Sequence, residues 1–562
     1  MVILSLYVIL SLIIMNKKNL LKKVGSCLLL LTLVTTLSSC SLVFTILDAF
    51  LNDGVDDILG SINNDYASYT EIETPEETIV KDRVGNGSGY NISLLKEKEN
   101  EGYEILPSVG EQKVLVIPIY FKDYTPFSCM DDPLLGLKHI NTAFFGKSEE
   151  TGWESVKSYY HKSSYGKLNL SGSVTSWCPI DKTLEEIVSM KEYSEPSIYC
   201  LREAIKWVKQ SYPNIEKEYD LDKDGFIDSV ALVYANEYYD GSGRQDYDRN
   251  YKESTVEKIE QFLWAYTYWD YNEKPSVDSP VGNVYTFLSY DFLFDGGYFK
   301  EEVIDNKNVK TPLVDTHTFV HEFGHVLGLD DYYSYDFIDD EPLGRLDMMD
   351  NNIGDHNAYS KYLLNWIDPI LIEEEGTYTI STLSDEPSAL LIPANIDKFS
   401  YSPFSEYLLI ELYTPDGLNE LDSKVRYQED SKKTPYHFTK QGVKILHVDS
   451  RLVVLDDSNE TYYYTNVFNE TLTHPSKVQF IGANNTSSYS INPDFKLINL
   501  ISSEKGRNAF DSNYYASNRD LFVKNDMITS FEFNSGDKLK FNIEITKIDV
   551  ENKTATIVVT NN

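Results

Sequence analysis

The sequence predicts an α+β fold in which a mixed α/β region is followed by an all-β region. A continuous apolar run from Lys113 to Tyr120 is typical of a strand that is buried on both faces of a sheet. Helical and strand patterns alternate up to about residue 370, whereas short strands separated by turns dominate beyond it. We therefore expect a mixed-sheet domain at residues 111–370 and one or two β-sandwich modules at residues 371–562.

The alternation can be resolved into individual elements. Apolar residues spaced three or four apart predict helices, and short apolar runs bounded by turn residues predict strands. The predicted helices cover residues 133–146, 151–163 and 196–210. The predicted strands cover residues 167–176, 229–235, 262–269 and 284–293, and in the second region residues 406–412, 442–448 and 537–560.

Length and composition limit the classes of protein that the chain can belong to. A chain of 562 residues exceeds what one hydrophobic core supports, so two to four folded units are expected. Hydrophobic residues make up 42% and aromatic residues 13% of the chain, which argues against wholesale disorder. The formal net charge is −38. A field of that sign repels nucleic acid and anionic lipid, so nucleic acid is not an expected partner.

The N-terminus has the features of a bacterial export signal. Residues 1–39 contain a basic stretch after Met15, an apolar run from Val24 to Leu37, and small residues just before Cys40. The string Leu-Ser-Ser-Cys that ends at Cys40 resembles the lipobox of bacterial lipoproteins, which implies cleavage before Cys40 and a diacylglyceryl group on its sulfur. Two acyl chains anchor a protein stably, so we expect attachment to the extracellular face of the cell membrane. Met15 is an alternative translation start, and the rival interpretation of the segment is an uncleaved transmembrane helix.

Residues 40–110 are expected to form the anchor and a spacer, or an inhibitory prosegment. They are rich in Asp, Glu, Asn, Ser and Gly and show no sustained period. The first Cys after Cys40 is Cys129, which argues against a thiolate in the segment that latches onto a metal. With Cys178 and Cys200, three Cys remain, which is too few for a disulfide scaffold although one bridge and a free thiol are allowed.

The residue pattern that carries chemistry lies in residues 316–331, which read Thr-His-Thr-Phe-Val-His-Glu-Phe-Gly-His-Val-Leu-Gly-Leu-Asp-Asp. On a helix, His321 and His325 project from one face one turn apart, as two ligands of a tetrahedral zinc ion require. Glu322 lies beside them, where it can act on a water molecule as a general base. The spacing therefore predicts a catalytic zinc site.

A third zinc ligand must come from beyond the helix, because each further turn moves ~5.4 Å along the axis. Gly328 can take the left-handed conformation and turn the chain back, which makes Asp331 the expected third ligand. Asp330 is its nearest rival and Glu341 a more distant one. His317 continues the four-residue spacing, but a fourth ligand would close the position for water, so its expected role is packing or support of the site.

Several segments match patterns of known metallopeptidases. The extended His-Glu-x-x-His-x-x-Gly-x-x-Asp pattern resembles the metzincin clan in its Asp-ligand variety. Residues 344–350 resemble the Met-turn that lies beneath the metal in that clan, with Met349 as the floor residue. More widely, residues 155–168 and 442–449 look like stretches of the immune inhibitor A family of secreted bacterial metallopeptidases. The resemblance covers roughly residues 113–450 and implies a metzincin-type catalytic domain followed by a β-sandwich.

A second metal site is indicated by a short acidic loop. Asp220, Asp222, Asp224 and Asp228 occupy positions one, three, five and nine of a calcium-loop pattern, with Gly225 at position six, where the chain must bend sharply. Position twelve lacks the usual Glu, so the loop is not a complete EF-hand and another segment must add ligands. We expect a structural calcium ion here, and the alternative is an acidic turn that holds no ion.

The expected activity is zinc-dependent hydrolysis of internal peptide bonds in extracellular proteins or peptides. Zinc polarises the scissile carbonyl and lowers the pKa of its water toward ~7, while Glu322 takes the proton and later delivers it to the leaving amine. A second donor to the oxyanion is expected, with Tyr333, His356 and Tyr359 as unranked candidates. His447 lies in a predicted strand, so we expect it to be structural.

Two rival functions remain open from the sequence. The chain could be a surface-anchored lipoprotein that binds glycan or protein and has a metal site without catalysis, although a pure binder has no need of Glu322. A zinc hydrolase that acts on non-peptide amides would use the same ligand set. Cleavage of casein or peptides that is abolished by a chelator separates the endopeptidase from the binder.

Overall fold

The computed structural model describes strand Thr70–Glu71 and residues 103–562, with short gaps. The gaps are residues 192–194, 240–246, 305–306, 336–340, 400, 425–436, 456–460, 466–477, 487–491, 493 and 505–514. The predicted export signal at residues 1–39, Met15, Cys40 and most of the predicted spacer lie outside the described residues.

Strands and helices alternate in the first part of the chain, and strands dominate the second part. The strands are β1 (Thr70–Glu71), β2 (Gly110–Phe121), β3 (Leu168–Val174), β4 (Cys178–Ile180), β5 (Phe226–Ile227), β6 (Val230–Tyr234), β7 (Tyr266–Trp269), β8 (Val281–Gly282), β9 (Val284–Ser289), β10 (Phe299–Ile304), β11 (Lys307–Pro312), β12 (Ile370–Leu371), β13 (Gly376–Ser381), β14 (Ala389–Pro393), β15 (Glu406–Tyr413), β16 (Gly442–Asp449), β17 (Leu452–Leu455), β18 (Thr461–Thr465), β19 (Val478–Phe480), β20 (Ile498–Ile501), β21 (Met527–Ile528), β22 (Phe541–Asp549) and β23 (Thr554–Asn561). The α-helices are α1 (Pro126–Cys129), α2 (Pro133–Phe145), α3 (Val156–Ser163), α4 (Leu184–Val188), α5 (Pro196–Ser211), α6 (Tyr247–Asn250), α7 (Glu253–Phe262), α8 (His317–Val326), α9 (Met348–Asn351), α10 (Ala358–Leu363) and α11 (Glu420–Lys424).

The first part of the chain is built on a six-stranded mixed sheet. Its strand order is β3-β2-β6-β9-β7, and β4 pairs with the end of β2. Strands β3, β2, β6 and β9 are parallel, whereas β7 is antiparallel to β9 and forms an edge of the sheet in the described part of the chain. An antiparallel edge strand therefore borders one side of this domain.

Helices cover both faces of this sheet, which explains the continuous apolar runs of its central strands. Helices α2, α3 and α8 pack on one face, against residues that include Val114 and Val233. Helices α4, α5 and α7 pack on the other face, against residues that include Leu115 and Leu232. The alternation of neighbouring residues between the two faces follows from the two-residue period of a strand.

The second part contains two larger sheets that pack face to face. One has the order β12-β14-β15-β16-β20, and the other has the order β13-β23-β22-β21. Facing side chains such as Ile410, Ile445, Ile543 and Ile557 form one buried apolar cluster. A smaller sheet of order β1-β18-β17-β19 brings strand Thr70–Glu71 next to this part of the chain.

The five-stranded sheet is buried on both faces, because its second face packs against the first part of the chain. Every residue of β15 and β16 is buried. Tyr407, Leu409 and Leu446 share an apolar cluster with Leu363 and Trp366, which lie in and just after helix α10. The two parts of the chain are therefore joined by a continuous hydrophobic core.

The described chain is a mixed α/β fold with several sheets, which is compatible with the predicted α+β class. Most predicted elements are confirmed within a few residues. The helix expected from residue 151 begins at Val156, and the segment 537–560 contains the two strands β22 and β23. Two other predicted strands were too long. The strand expected from residue 262 begins at Tyr266, because Phe262 ends helix α7. The strand expected to reach residue 293 ends at Ser289, whose side chain accepts a hydrogen bond from the backbone N–H of Asp291 at 3.0 Å and starts a 3-10 helix.

Two further features concern cysteines and membrane spans. Cys129, Cys178 and Cys200 are free thiols, so the bridge that the sequence allowed is not formed among them. Within the described ranges, no helix is both long and apolar enough to span a bilayer.

Candidate metal centre

Helix α8 carries the predicted zinc motif and ends as the sequence predicts. The backbone N–H of His317 donates to Asp315 Oδ1 at 3.1 Å, which satisfies one donor at the start of the helix. After Val326 the chain reverses at Gly328, whose φ is +95°. Its N–H donates to the carbonyl of His325 at 2.9 Å. A left-handed glycine thus turns the chain back toward the histidine face.

The reversal brings His321, His325 and Asp331 together. Asp331 Oδ1 lies 2.9 Å from His321 Nε2 and 3.3 Å from His325 Nε2. The three potential ligand atoms lie within 4.8 Å of one another, as ligands of a single ion must. Despite these distances, Asp331 Oδ1 is buried and receives no hydrogen bond from the described residues.

Hydrogen bonds to backbone carbonyls determine which nitrogen of each imidazole ring faces the cluster. His321 Nδ1 lies 2.7 Å from the carbonyl oxygen of Met348, and His325 Nδ1 lies 2.7 Å from that of Leu329. A carbonyl can only accept, so each Nδ1 must carry the hydrogen and each neutral ring presents the lone pair of Nε2. Two lone pairs and the Asp331 carboxylate therefore converge and repel one another unless a cation lies among them. This donor set fits zinc.

The electrostatics of the cluster agree with this assignment. Burial alone would lower the pKa of His325, but the charge of Asp331 raises it to about 9. Burial would raise the pKa of Asp331, but the charge of His325 and the two imidazoles hold it well below its usual range. The three groups thus stabilise positive charge at the point where they meet, whether a proton or a metal ion provides it.

Glu322 follows His321 on helix α8 and is held by the edge strand β7. The hydroxyl of Thr267 donates to the backbone carbonyl of Glu322 at 2.7 Å and lies 3.3 Å from its Oε2. Burial raises the pKa of the Glu322 carboxyl, although the neighbouring His321 and His325 oppose the shift. A carboxylate of raised basicity next to a candidate metal cluster is suited to accept a proton from water.

Met349 forms the floor beneath the motif helix. A Cβ on Gly324 would lie 2.5 Å from Met349 Sδ, so the thioether fills the space that this glycine leaves. The backbone N–H of Tyr332 donates to the carbonyl of Met349 at 2.7 Å. Together with the bond from His321 to the carbonyl of Met348, this contact connects residues 348–349 both to helix α8 and to the segment that carries Asp331. Met349 therefore packs directly against the helix that carries His321 and His325.

Tyr335 was not predicted to belong to the site. Its hydroxyl donates a hydrogen bond to Asp331 Oδ2, the carboxylate oxygen that does not face the histidines. This contact orients Asp331 and leaves Oδ1 for the cluster. Its only signal in the sequence is a position four residues after Asp331, and several Tyr residues in that segment share similar positions.

His317 does not join the cluster, as expected, but it forms a buried polar group of its own. Its Nδ1 lies 2.6 Å from Asp315 Oδ1, and its Nε2 lies 3.3 Å from Asp422 Oδ2. The ring stacks on Trp153 at a centroid distance of 4.1 Å. Burial alone would lower the pKa of His317, but the charges of Asp422 and Asp315 raise it to about 10. His317 is therefore a structural imidazolium held between two carboxylates.

The three candidate oxyanion donors fall into different environments. Tyr333 is half-buried, and its ring centroid lies 6.4 Å from that of His321. His356 and Tyr359 are buried in the core, where the His356 ring contacts Tyr160 at 5.8 Å. Only Tyr333 of the three has both exposure and proximity to the cluster.

The remaining alternatives from the sequence lie apart from the cluster. Asp330 and Glu341 are not among the residues whose ligand atoms converge, and Glu341 forms an ion pair with Arg345. His447 is buried, with its Nε2 3.0 Å from Glu406 Oε1 in a neighbouring strand. This arrangement agrees with the structural role that we expected for His447.

The acidic loop is the other group of described side chains close enough to share an ion. Asp220, Asp222 and Asp224 each offer an oxygen within 4.8 Å of the others. Asp220 is buried, and its Oδ1 has no hydrogen-bond partner among the described residues. Gly225 has a φ of +97°, and a Cβ there would lie 2.5 Å from the backbone nitrogen of Ser276. The bend at position six thus requires glycine.

Asp228 does not join this group. Both of its oxygens lie 3.2 Å from the backbone N–H of Leu221, so the side chain closes the loop through a hydrogen bond. Burial, followed by the charges of Asp222, Asp220 and Asp224, raises the pKa of Asp228 to about 7. The loop therefore concentrates negative charge that a cation would relieve.

Comparison with known proteins adds no further assignment. No model of a known protein family matches the chain, and no curated protein matches it. The resemblance to the immune inhibitor A family stays a prediction from the motifs.

Proposed function

We propose that the protein is a zinc-dependent endopeptidase. The observation that carries the proposal is the convergence of His321 Nε2, His325 Nε2 and Asp331 Oδ1, with the opposite nitrogens of both rings donating to backbone carbonyls. Three ligands of this kind leave one position of a tetrahedral ion for water or substrate. A purely structural zinc site would use four protein ligands.

The chemistry divides between the metal and Glu322. Zinc bound at this cluster would polarise a substrate carbonyl and lower the pKa of a water molecule. Glu322 takes the proton from that water and delivers it to the amine that leaves, so no covalent intermediate with the protein is needed. The Tyr333 hydroxyl is our candidate for a hydrogen bond to the oxyanion.

The edge strand β7 supports a polypeptide as the substrate. Edge strands bind extended peptides through main-chain hydrogen bonds. Thr267 in β7 contacts Glu322, so a peptide that lies along this strand passes the general base. This arrangement favours an endopeptidase over a hydrolase of small non-peptide amides.

The remaining expectations from the sequence form part of the same proposal. The motifs support membership of the metzincin clan and resemblance to the immune inhibitor A family. The export signal and Cys40 support a lipid-anchored protein on the extracellular face of a bacterial membrane, where proteins and peptides are accessible as substrates. The acidic loop of Asp220, Asp222 and Asp224 supports a structural calcium ion.

The proposal is tested with purified protein, denatured casein and a mixture of unstructured peptides. We expect internal cleavage that stops when a chelator removes the metal and returns when zinc is added. Mass spectrometry of the products distinguishes internal cleavage from trimming at the ends. Peptide binding without any cleavage, with zinc present, would contradict the proposal and favour the alternative of a surface-anchored binding protein.

The calcium ion is tested separately by thermal unfolding. Adding calcium to protein whose zinc site is filled should raise the melting temperature, because an ion that binds only the folded state stabilises it. Asp222→Asn together with Asp224→Asn should remove this effect. An unchanged calcium response in that variant would place the ion elsewhere.

A further inference from the structure

Three aromatic side chains lie in series at the end of edge strand β7. The Tyr103 ring stacks on Trp269 with a centroid distance of 4.7 Å and an interplanar angle of 6°. The Tyr271 ring lies 6.0 Å from Tyr103 at an angle of 37°. Tyr271 is 41% exposed, and the other two side chains are half-buried. We call Tyr103, Trp269 and Tyr271 the aromatic platform, and part of its surface faces solvent.

The aromatic platform is rigidly supported. The indole N–H of Trp269 donates to the backbone carbonyl of Glu104 at 2.7 Å. The next residue, Asp270, is fully buried, and Arg202 donates to its two carboxylate oxygens at 2.6 and 2.8 Å. The position of Trp269 and the backbone that follows it are thus fixed before any ligand arrives, which lowers the entropy cost of binding.

Two stretches of chain connect the aromatic platform to the helix that carries the candidate metal ligands. Along β7, Trp269 lies two residues beyond Thr267, so the two side chains share a face and lie ~7 Å apart. Thr267 contacts Glu322. Along the other stretch, the backbone N–H of Leu106, three residues after Tyr103, donates to the carbonyl of Val326 at 2.9 Å. Val326 directly follows His325, so the platform lies near the end of helix α8 that carries this ligand.

We propose that the aromatic platform is a substrate subsite that binds an aromatic or large aliphatic side chain of a peptide lying along β7. The inference rests on the proposed endopeptidase function and adds the class of side chain that the enzyme prefers near the scissile bond. A substrate ring can extend the stack of Trp269, Tyr103 and Tyr271 in an offset or edge-to-face arrangement. One additional aromatic contact corresponds to about a three- to tenfold gain in affinity or in kcat/KM.

The test uses matched peptides that differ at one position by Phe, Leu, Ala, Lys or Asp, with that position moved along the peptide on both sides of the cleaved bond. kcat/KM is measured for the wild-type protein, Tyr271→Ala and the double variant Tyr103→Leu with Tyr271→Ala. Tyr378→Ala is the control, because this half-buried tyrosine lies in β13 of the four-stranded sheet. Thermal unfolding of each variant verifies that it is folded.

For the wild-type protein we expect a preference for Phe or Leu over Ala of about three- to tenfold at one position. The preference should be smaller in Tyr271→Ala and absent in the double variant. Tyr378→Ala should keep the wild-type preference. Equal rates for all peptides, or a preference that survives in the folded double variant, would overturn the inference. A preference for Lys would also overturn it, since that would indicate cation–π recognition of a basic side chain.

Binding of the same peptides to the Glu322→Gln protein loaded with zinc separates this inference from the proposed function. If wild-type protein cleaves no peptide but Glu322→Gln binds the Phe peptide more tightly through Tyr271, the subsite stands and the endopeptidase fails. If peptides are cleaved without any preference, the endopeptidase stands and the subsite fails. Absence of both cleavage and preferential binding refutes both.

Discussion

The two ends of helix α8 show that histidines at the same sequence spacing can have different surroundings, suited to a metal ion at one end and to a buried imidazolium at the other. His317, His321 and His325 are spaced four residues apart and project from one helix face. At the C-terminal end, two imidazoles direct Nε2 toward one oxygen of Asp331. At the N-terminal end, His317 has a carboxylate at each ring nitrogen, on opposite sides of the ring.

The difference lies in what each ring nitrogen faces. At His321 and His325, Nδ1 donates to a backbone carbonyl, and both Nε2 atoms converge on one oxygen of Asp331, as ligands of a shared metal ion must. At His317 each nitrogen faces a different carboxylate, so the ring is held as an imidazolium and has no lone pair to offer. The convergence of ring nitrogens on one carboxylate oxygen therefore separates candidate metal ligands from a structural histidine better than spacing does.

The largest effect is expected at the metal-binding end, from Glu322→Gln. The substitution keeps the size of the side chain but removes the general base, so kcat/KM should fall by about two to four orders of magnitude. Zinc stoichiometry, measured by atomic absorption, and the melting temperature should stay close to wild type. A variant that keeps near-normal proteolysis would show that Glu322 is not the base.

A matched pair of carboxylate substitutions tests the comparison directly. Asp331→Asn removes a charged ligand, so zinc affinity measured by competition with a chromophoric chelator should fall by at least about 100-fold. Asp315→Asn removes a partner of His317 instead, so it should lower stability while zinc affinity stays near wild type. Equal loss of zinc in both variants would mean that the two ends of α8 act as one site.

His317→Gln should change the pH dependence of stability. The pKa of His317 in the folded protein is raised to about 10, above the value of ~6.5 in an unfolded chain. Its stabilisation is therefore complete below about pH 6.5 and is lost as the pH rises toward 10, with a slope of at most ~1.4 kcal/mol per pH unit. Denaturant unfolding of the wild-type protein between pH 6.5 and 10 should show this slope.

The control for that measurement is the His317→Gln variant itself, in which the slope should be shallower. Its unfolding free energy should also be lower at pH 6.5, because Asp315 and Asp422 lose their buried cation. An unchanged slope would assign the pH dependence to other groups.

The smallest effect is expected from Tyr335→Phe, with Tyr298→Phe as its counterpart at the other end of the helix. Tyr335 donates to Asp331 Oδ2, so loss of its hydroxyl should weaken zinc binding by about tenfold. The ring of Tyr298 lies 6.4 Å from that of His317, and its buried hydroxyl has no hydrogen-bond partner among the described residues. Its removal should leave zinc affinity unchanged, and a drop in that variant would contradict the assignment of Tyr335 as the positioning residue.

The part of the site that depends on local geometry could be predicted from the sequence. His321, Glu322 and His325 follow from the period of a helix, and Gly328 from the turn needed to reach Asp331. Thr267 could not be predicted, because it lies 55 residues before Glu322 in the chain and only the sheet brings it to the helix. Spacing alone therefore finds the candidate ligands but not the residues that orient them.

Residues near the motif in sequence were harder to rank. His356 lies only six residues after the segment that resembles a Met-turn, yet its ring is buried in the core. Closeness in sequence does not determine the direction in which a side chain points. Asp228 fits the calcium-loop spacing, but its carboxylate closes the loop through Leu221. The α+β class was easier to predict, because buried strands such as β2 have continuous apolar runs.

The five-stranded sheet that is buried on both faces has a consequence for dissecting the molecule. Cutting the chain after about residue 370 would strip the covering from Trp366 and Leu363 and expose a large apolar surface to water. We expect such a fragment to aggregate instead of folding as an independent peptidase. A truncated protein would then lose activity because its hydrophobic core is incomplete. Such a loss would not be evidence that the C-terminal sheets bind substrate.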